Sequence, residues 1–132
     1  MKIAIITTPG YGPINNTLGL AKRLVQCGHT VVYFNAPEFS EIIKATGARF
    51  HNYLVKDAPI TQEMPKKPEA ILQMYNMQNA LYQSRNLLFL QTIIVDNLYQ
   101  LMQSEAFDLL MYDSSTLAGM ILSQKLGIPA IS

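Results

Sequence analysis

Two spacings of apolar positions alternate along the chain. Residues 2–8 (KIAIITT) form a short β-branched run, which predicts a strand buried on both faces. Pro9, Gly10, Tyr11, Gly12 and Pro13 follow as a turn-rich stretch expected to exclude helix. Asn15 and Asn16 are favourable N-cap residues. Over residues 17–27, Leu18, Ala21 and Val25 share one stripe with Leu20 and Leu24 beside it, so a helix is predicted there. Gly28 should end it. Residues 30–34 (TVVYF) read as a second strand. Pro37 opens a short helix to Ala45 with Phe39, Ile42 and Ile43 as its apolar side, Gly47 stops it, and residues 49–53 read as a third strand.

The rhythm breaks over residues 52–68, which hold Pro59, Pro65, Pro68 and the pair Lys66 and Lys67. A stretch of this length without periodicity is usually a functional lid or a disordered segment. Residues 69–104 return to helical spacing. Ile71, Met74 and Leu81 mark one stripe and Leu87, Leu90, Ile94, Leu98 and Leu101 another, with a break expected near residues 84–86. Residues 107–112 (FDLLMY) predict a fourth strand, 117–125 an amphipathic helix closed by Gly127, and 128–131 a fifth strand.

Strands alternating with helices imply right-handed crossovers, and hence an α/β fold with a doubly wound, Rossmann-like parallel sheet of order 3-2-1-4-5. Ligands of such sheets bind outside the carboxyl ends of the strands, where the order reverses. That places any site between the loop after strand 1 (residues 9–16) and the loop after strand 4 (residues 113–116). The chain of 132 residues is long enough for one domain and too short for two. Ser132 falls at the end of a strand with no closing helix, so the chain is expected to be the front part of a larger protein.

Composition narrows the function. Charged residues make up 14% of the chain and the net charge is +1, unlike a nucleic-acid binder with its basic excess or a disordered chain. Hydrophobic residues reach 49%, with seven Met among them, which suits a large core or an apolar flank covered by something else. The single cysteine, Cys27, permits neither an internal disulfide nor a multi-cysteine metal cluster, and is expected to be buried in the last turn of its helix. The N-terminus is too short in apolar residues for a secretory signal, and the run 87–95, interrupted by Gln91, is well short of a membrane span. A cytoplasmic protein is expected.

The glycine loop supplies Gly10 and Gly12 of a dinucleotide fingerprint, but Asn15 stands at the third glycine position. Asn35 and Ala36 replace the acid expected at the end of strand 2, so tight dinucleotide binding is not expected. Asp113, followed by Ser114, Ser115 and Thr116, has two compatible readings: an N-cap for the next helix, or a carboxylate at the switch point able to orient a partner. His29 lies at the wrong end of the sheet for a site. His51 reads as a partly exposed polar residue, and the two histidines lack metal-ligand spacing. The Met and Tyr side chains over residues 64–102 are first of all core, and their density beside the long loop also suits an apolar small-molecule pocket.

Three segments together resemble a known family. Residues 12–21 (GPINNTLGLA) are similar to a G-H-[VI]-N-P-[ST]-L-x-L-A stretch, and residues 24–33 (LVQCGHTVVY) to L-x-x-x-G-H-x-V-x-[YF]. Residues 107–113 (FDLLMYD), with Gly127, Ile128, Pro129 and Ala130, are similar to P-D-L-[IV]-[IV]-x-D…G-[IV]-P-x. The pattern is that of the N-terminal domain of family 1 UDP-glycosyltransferases of the GT-B fold, in particular the macrolide-type bacterial group. The resemblance implies that residues 1–132 are the acceptor-binding, Rossmann-like domain of a two-domain inverting hexosyltransferase. It implies a UDP-sugar co-substrate held mainly by a C-terminal domain outside this chain, a hydrophobic small-molecule acceptor, and inactivity of this part alone. No metal is implied, since nothing resembles the Asp-x-Asp of metal-dependent transferases.

The family's base is the histidine that aligns with Pro13, and its partner aspartate aligns with Asp113. Asn16 likewise stands where the family has proline. The resemblance assigns Asp113 as catalytic, and Gly10, Tyr11, Gly12, Pro13, Asn15, Asn16, Thr17, Ser114 and Ser115 as substrate-binding. Residues 53–104 would line the acceptor pocket. An acceptor hydroxyl needs a base within hydrogen-bond reach, and Pro13 offers none. Either Asp113 acts directly or through a water, or the acceptor ionises unaided as a phenol or amine could, or the domain binds without catalysis. Tyr11, with an ordinary pKa of about 10, would be a poor base and is expected to pack over the loop. A stand-alone nucleotide-binding module is a further reading, one that requires nucleotide affinity of this chain by itself.

Overall fold

The computed structural model describes residues 1–54 and 80–132. Five parallel strands form one sheet in the order β3-β2-β1-β4-β5, as the alternation of periodicities predicts. The strands are β1 (Lys2–Ile6), β2 (Thr30–Asn35), β3 (Arg49–Asn52), β4 (Leu109–Tyr112) and β5 (Ala130–Ile131). Ile3, Ile5 and Ile6 of β1, with Val31 to Phe34 of β2, are buried irrespective of the face they point to, because helices cover both sides. The connections through α1 (Tyr11–Gln26) and α2 (Ser40–Lys44) run one way across the sheet. Those through α3 (Ala80–Glu105) and α4 (Leu117–Leu126) run the other way. Right-handed crossovers therefore put α1 and α2 on one face and α3 and α4, which pack on each other, on the opposite face.

Helix α1 departs from expectation at its start. It begins at Tyr11, with Gly10 as N-cap, so Gly12 and Pro13 lie inside its first turn rather than in a helix-free loop. Pro13 is the third helical residue, where the backbone N–H has no intrahelical acceptor and its loss costs little. The first helical hydrogen bond, from Ile14 N to Gly10 O, follows immediately at 3.3 Å. Ile14 and Ala21 are the buried residues of α1, while Leu20 is exposed.

At the other end of α1, Gly28 has φ +88°. Its N–H donates to Val25 O at 2.9 Å and that of His29 to Leu24 O at 3.1 Å, the paired bonds of a Schellman stop. Cys27 is exposed rather than buried. It lies six residues past Ala21, roughly 120° round the helix from the buried stripe.

Helix α3 runs unbroken through residues 84–86, where a break was expected, and buries Leu90, Ile94, Leu98 and Met102 at helical spacing. Residues 55–79, which include Pro59, Pro65, Pro68, Ile71 and Met74, lie outside the described residues. Helix α4 approaches β4 closely: a Cβ built on Gly119 would lie 2.4 Å from Tyr112 Cβ. His51 is buried at 2% exposure, against the expectation of a partly exposed residue. Its ring meets Phe34 edge-on at 5.3 Å. No described helix is long and apolar enough to cross a membrane.

Candidate functional site

The carboxyl ends of the inner strands are tied by buried polar side chains. Thr7, beyond the end of β1, is fully buried. Asn35 Nδ2 donates to the Thr7 carbonyl at 3.1 Å and to Thr7 Oγ1 at 2.7 Å, and the Tyr53 hydroxyl donates to the same carbonyl at 3.0 Å. The Tyr33 hydroxyl bonds Thr7 Oγ1 at 3.1 Å and reaches Thr17 Oγ1 on α1. Burial pushes the Tyr33 phenol above its ordinary pKa, the hydrogen bonds from Thr17 and Thr7 oppose this in part, and the charge of Asp113 adds to it. Tyr33 is thus an uncharged strut. Asn35 spends its amide on Thr7 and its Oδ1 on the Ala36 N–H at 2.6 Å.

The two switch-point loops meet through hydroxyls. Thr8, 2% exposed, has its Oγ1 2.9 Å from Ser115 Oγ. Ser115 donates twice to Asp113 Oδ1, from its backbone N–H at 2.9 Å and from its hydroxyl. Asp113 is half-buried, and its own N–H donates to Ile6 O at 3.2 Å, continuing the ladder of β1 and β4 by one bond. Among the described residues, Oδ2 of Asp113 has no hydrogen-bond partner. The structure separates the two readings of Asp113, since the N-cap of α4 is Thr116. Asp113 caps the turn before the helix and, among the described residues, leaves one carboxylate oxygen open.

The end of α4 is instead served from α3. Gln91 Oε1 accepts the Ala118 N–H at 2.9 Å. Sequence reasoning noted Gln91 only as an interruption of an apolar run. That interruption was the signal, because a buried amide in such a run needs a polar partner.

The other expected site residues divide by orientation. Tyr11 is 71% exposed and packs edge-on against Phe39, 5.3 Å between centroids. Gly12, Asn15, Asn16, Ser114 and Ser115 are exposed, and Gly10 and Pro13 are half-buried. Thr17 turns inward, its hydroxyl held by Pro13 O, Ile14 O and Tyr33. Of the expected acceptor-lining segment 53–104, only Tyr53, Leu54 and α3 are described. Between α3 and α4, a cleft of about 260 Å³ has Leu88, Gln91, Val95, Asp96 and Ile121 in its lining, with Leu117, two residues beyond Ser115. A second cleft of about 340 Å³ lies at the opposite end, beside Met102, Phe107 and Gly127, and holds none of the expected residues of the two switch-point loops. Among the described residues no three His, Cys, Asp or Glu side chains are grouped to hold a metal.

No protein-family model matches the chain. It is 31% identical to the NDP-glycosyltransferase YjiC of Bacillus subtilis (strain 168) over 98% of its own length, which is 30% of that protein. It is 30% identical to the protein of the same name from Bacillus licheniformis, over 98% of the chain and 31% of that relative. The chain thus spans less than a third of the relatives it matches. Among solved structures, the glycotransferase of kitacinnamycin superposes with a TM-score of 0.75 at 22% identity, over 98% of the chain and 29% of that protein. CalG4, the calicheamicin glycosyltransferase, gives 0.71 at 24% identity, over 98% of the chain and 31% of that protein. The solved structures establish the fold, and over nearly its whole length the chain is similar to the N-terminal part of bacterial GT-B glycosyltransferases.

Proposed function

We propose that this chain is the acceptor-binding part of an inverting glycosyltransferase that moves a sugar from a nucleoside diphosphate donor to a hydrophobic small molecule. The observation that carries the reading is the match along 98% of the chain to a protein named NDP-glycosyltransferase, with Asp113 at the switch point of the sheet. The acceptor oxygen attacks the anomeric carbon as the bond from that carbon to the diphosphate breaks, which inverts the centre in a single displacement. The hydroxyl proton passes to Asp113 Oδ2, directly or through one water. Pro9 to Thr17 and Asp113 to Thr116 border this centre, and the cleft between α3 and α4 contributes apolar surface beside it.

The nucleotide is held mainly by parts of the protein outside this chain, in keeping with the 30% of YjiC that the chain spans. A UDP-sugar is the first donor to try. The solved glycosyltransferases SsfS6 and VinC carry thymidine diphosphate, so a dTDP-sugar is the second. One observation favours a different class, a binding domain without catalysis: Pro13 stands where the resemblance has its base.

The test is transfer from UDP-glucose and dTDP-glucose by the whole protein to phenols, amines and aliphatic alcohols. Transfer to alcohols supports Asp113 as base. Transfer confined to phenols and amines means that acceptor acidity stands in for a base. No transfer with any pair supports the binding-only reading.

A further inference from the structure

We infer that Ser115, backed by Thr8, is a positioning residue that holds the carboxylate of Asp113 in place of the missing histidine, and is not a contact for the substrate. The inference rests on the proposed transfer with Asp113 as base. A carboxylate base needs one oxygen fixed and the other free, since a freely rotating carboxyl spends little time aimed at the acceptor proton. The site has that asymmetry. Asp113 Oδ1 accepts both donors of Ser115, while Oδ2 accepts none among the described residues.

The Ser115 hydroxyl has one proton and spends it on Asp113. Its 2.9 Å contact with Thr8 is then a bond donated by Thr8 Oγ1, a buried group two residues past the end of β1. The chain Thr8 to Ser115 to Asp113 ties the carboxylate to the buried segment that follows β1. In the resemblance, the partner of this aspartate comes from α1, at the position of Pro13. Here the partner comes from the carboxylate's own loop. Ser114, which has no such bonds, remains available to the substrate.

The experiment uses the whole protein and compares an aliphatic alcohol with a phenol of similar size as acceptor. Asp113→Asn is the control and should lower transfer to the alcohol by about a hundredfold or more. Ser115→Ala should lower kcat for the alcohol by about tenfold with KM unchanged, and kcat for the phenol by less than about threefold, since an acidic acceptor depends little on the base. Ser115→Thr, which keeps the hydroxyl, should restore kcat, and Thr8→Val should give a smaller loss of the same kind. If Asp113→Asn is inactive while Ser115→Ala matches the unaltered protein, loses both acceptors alike or is not rescued by threonine, the positioning role is wrong and the base assignment stands. Full activity of Asp113→Asn overturns both.

Discussion

His51 lies on β3 with its ring against Phe34, and among the described residues its Nε2 meets no hydrogen-bond partner. Burial lowers its pKa from 6.5 to about 4, and the charge of the Glu105 carboxylate pulls the other way without offsetting it. The folded state therefore resists a proton that the unfolded chain accepts. Stability should be intact above about pH 6.5 and fall by about 1.4 kcal/mol per pH unit towards pH 4, about 3 kcal/mol in full. Urea titrations across this range should show the loss, and His51→Gln should remove most of it. Equal slopes for both proteins would place the pH dependence elsewhere. The burial of His51 was not legible in the sequence, because a four-residue strand of the pattern Arg-Phe-His-Asn does not reveal that its far face will be covered. Asp113 was legible as a site candidate, since its place after an apolar strand fixes it at the switch point. Its bond to Ser115 was not, because turn geometry decides which of three neighbouring hydroxyls reaches the carboxylate.

Among the elements, strands and helix stops follow the written pattern closely, as does the start of α4 at Leu117, and the start of α1 does not. Gly28 and Gly127 end their helices as expected, since a residue with positive φ is a local requirement of the stop. The start of α1 at Tyr11 escaped because two prolines and two glycines read as a loop, yet a proline in the first turn gives up only an unneeded donor. Helix α3 bridged its expected break at residues 84–86, where the serine and asparagine there cost little against the packing of Leu90, Ile94 and Leu98. The contact between α4 and β4 gives a prediction on this scale. Gly119→Ala puts a methyl group against Tyr112 Cβ, an atom close to the backbone that cannot swing away. It should destabilise the domain by about 1–3 kcal/mol, read as a lower urea midpoint at unchanged slope. An unchanged midpoint would mean that α4 sits further from the sheet.

For the molecule as a whole, the strand order read from periodicity is the one observed, and the fold superposes on solved glycosyltransferases. This chain departs from the resemblance at Asn16 and at Pro13, and the proposed consequence of Pro13 falls on one group, Asp113. The buried ties among Thr7, Tyr33, Asn35 and Thr17 join the end of β1 to β2 and α1, and the Thr8–Ser115 contact joins it to the loop after β4. Those ties connect residues far apart in the chain, and sequence patterning alone does not pair them. The most direct measurement is the initial rate of sugar transfer from UDP-glucose or dTDP-glucose to an aliphatic alcohol by the whole protein, with and without Asp113→Asn. The account predicts transfer by the unaltered protein and a loss of about a hundredfold or more in the variant. Equal rates in the two would contradict it.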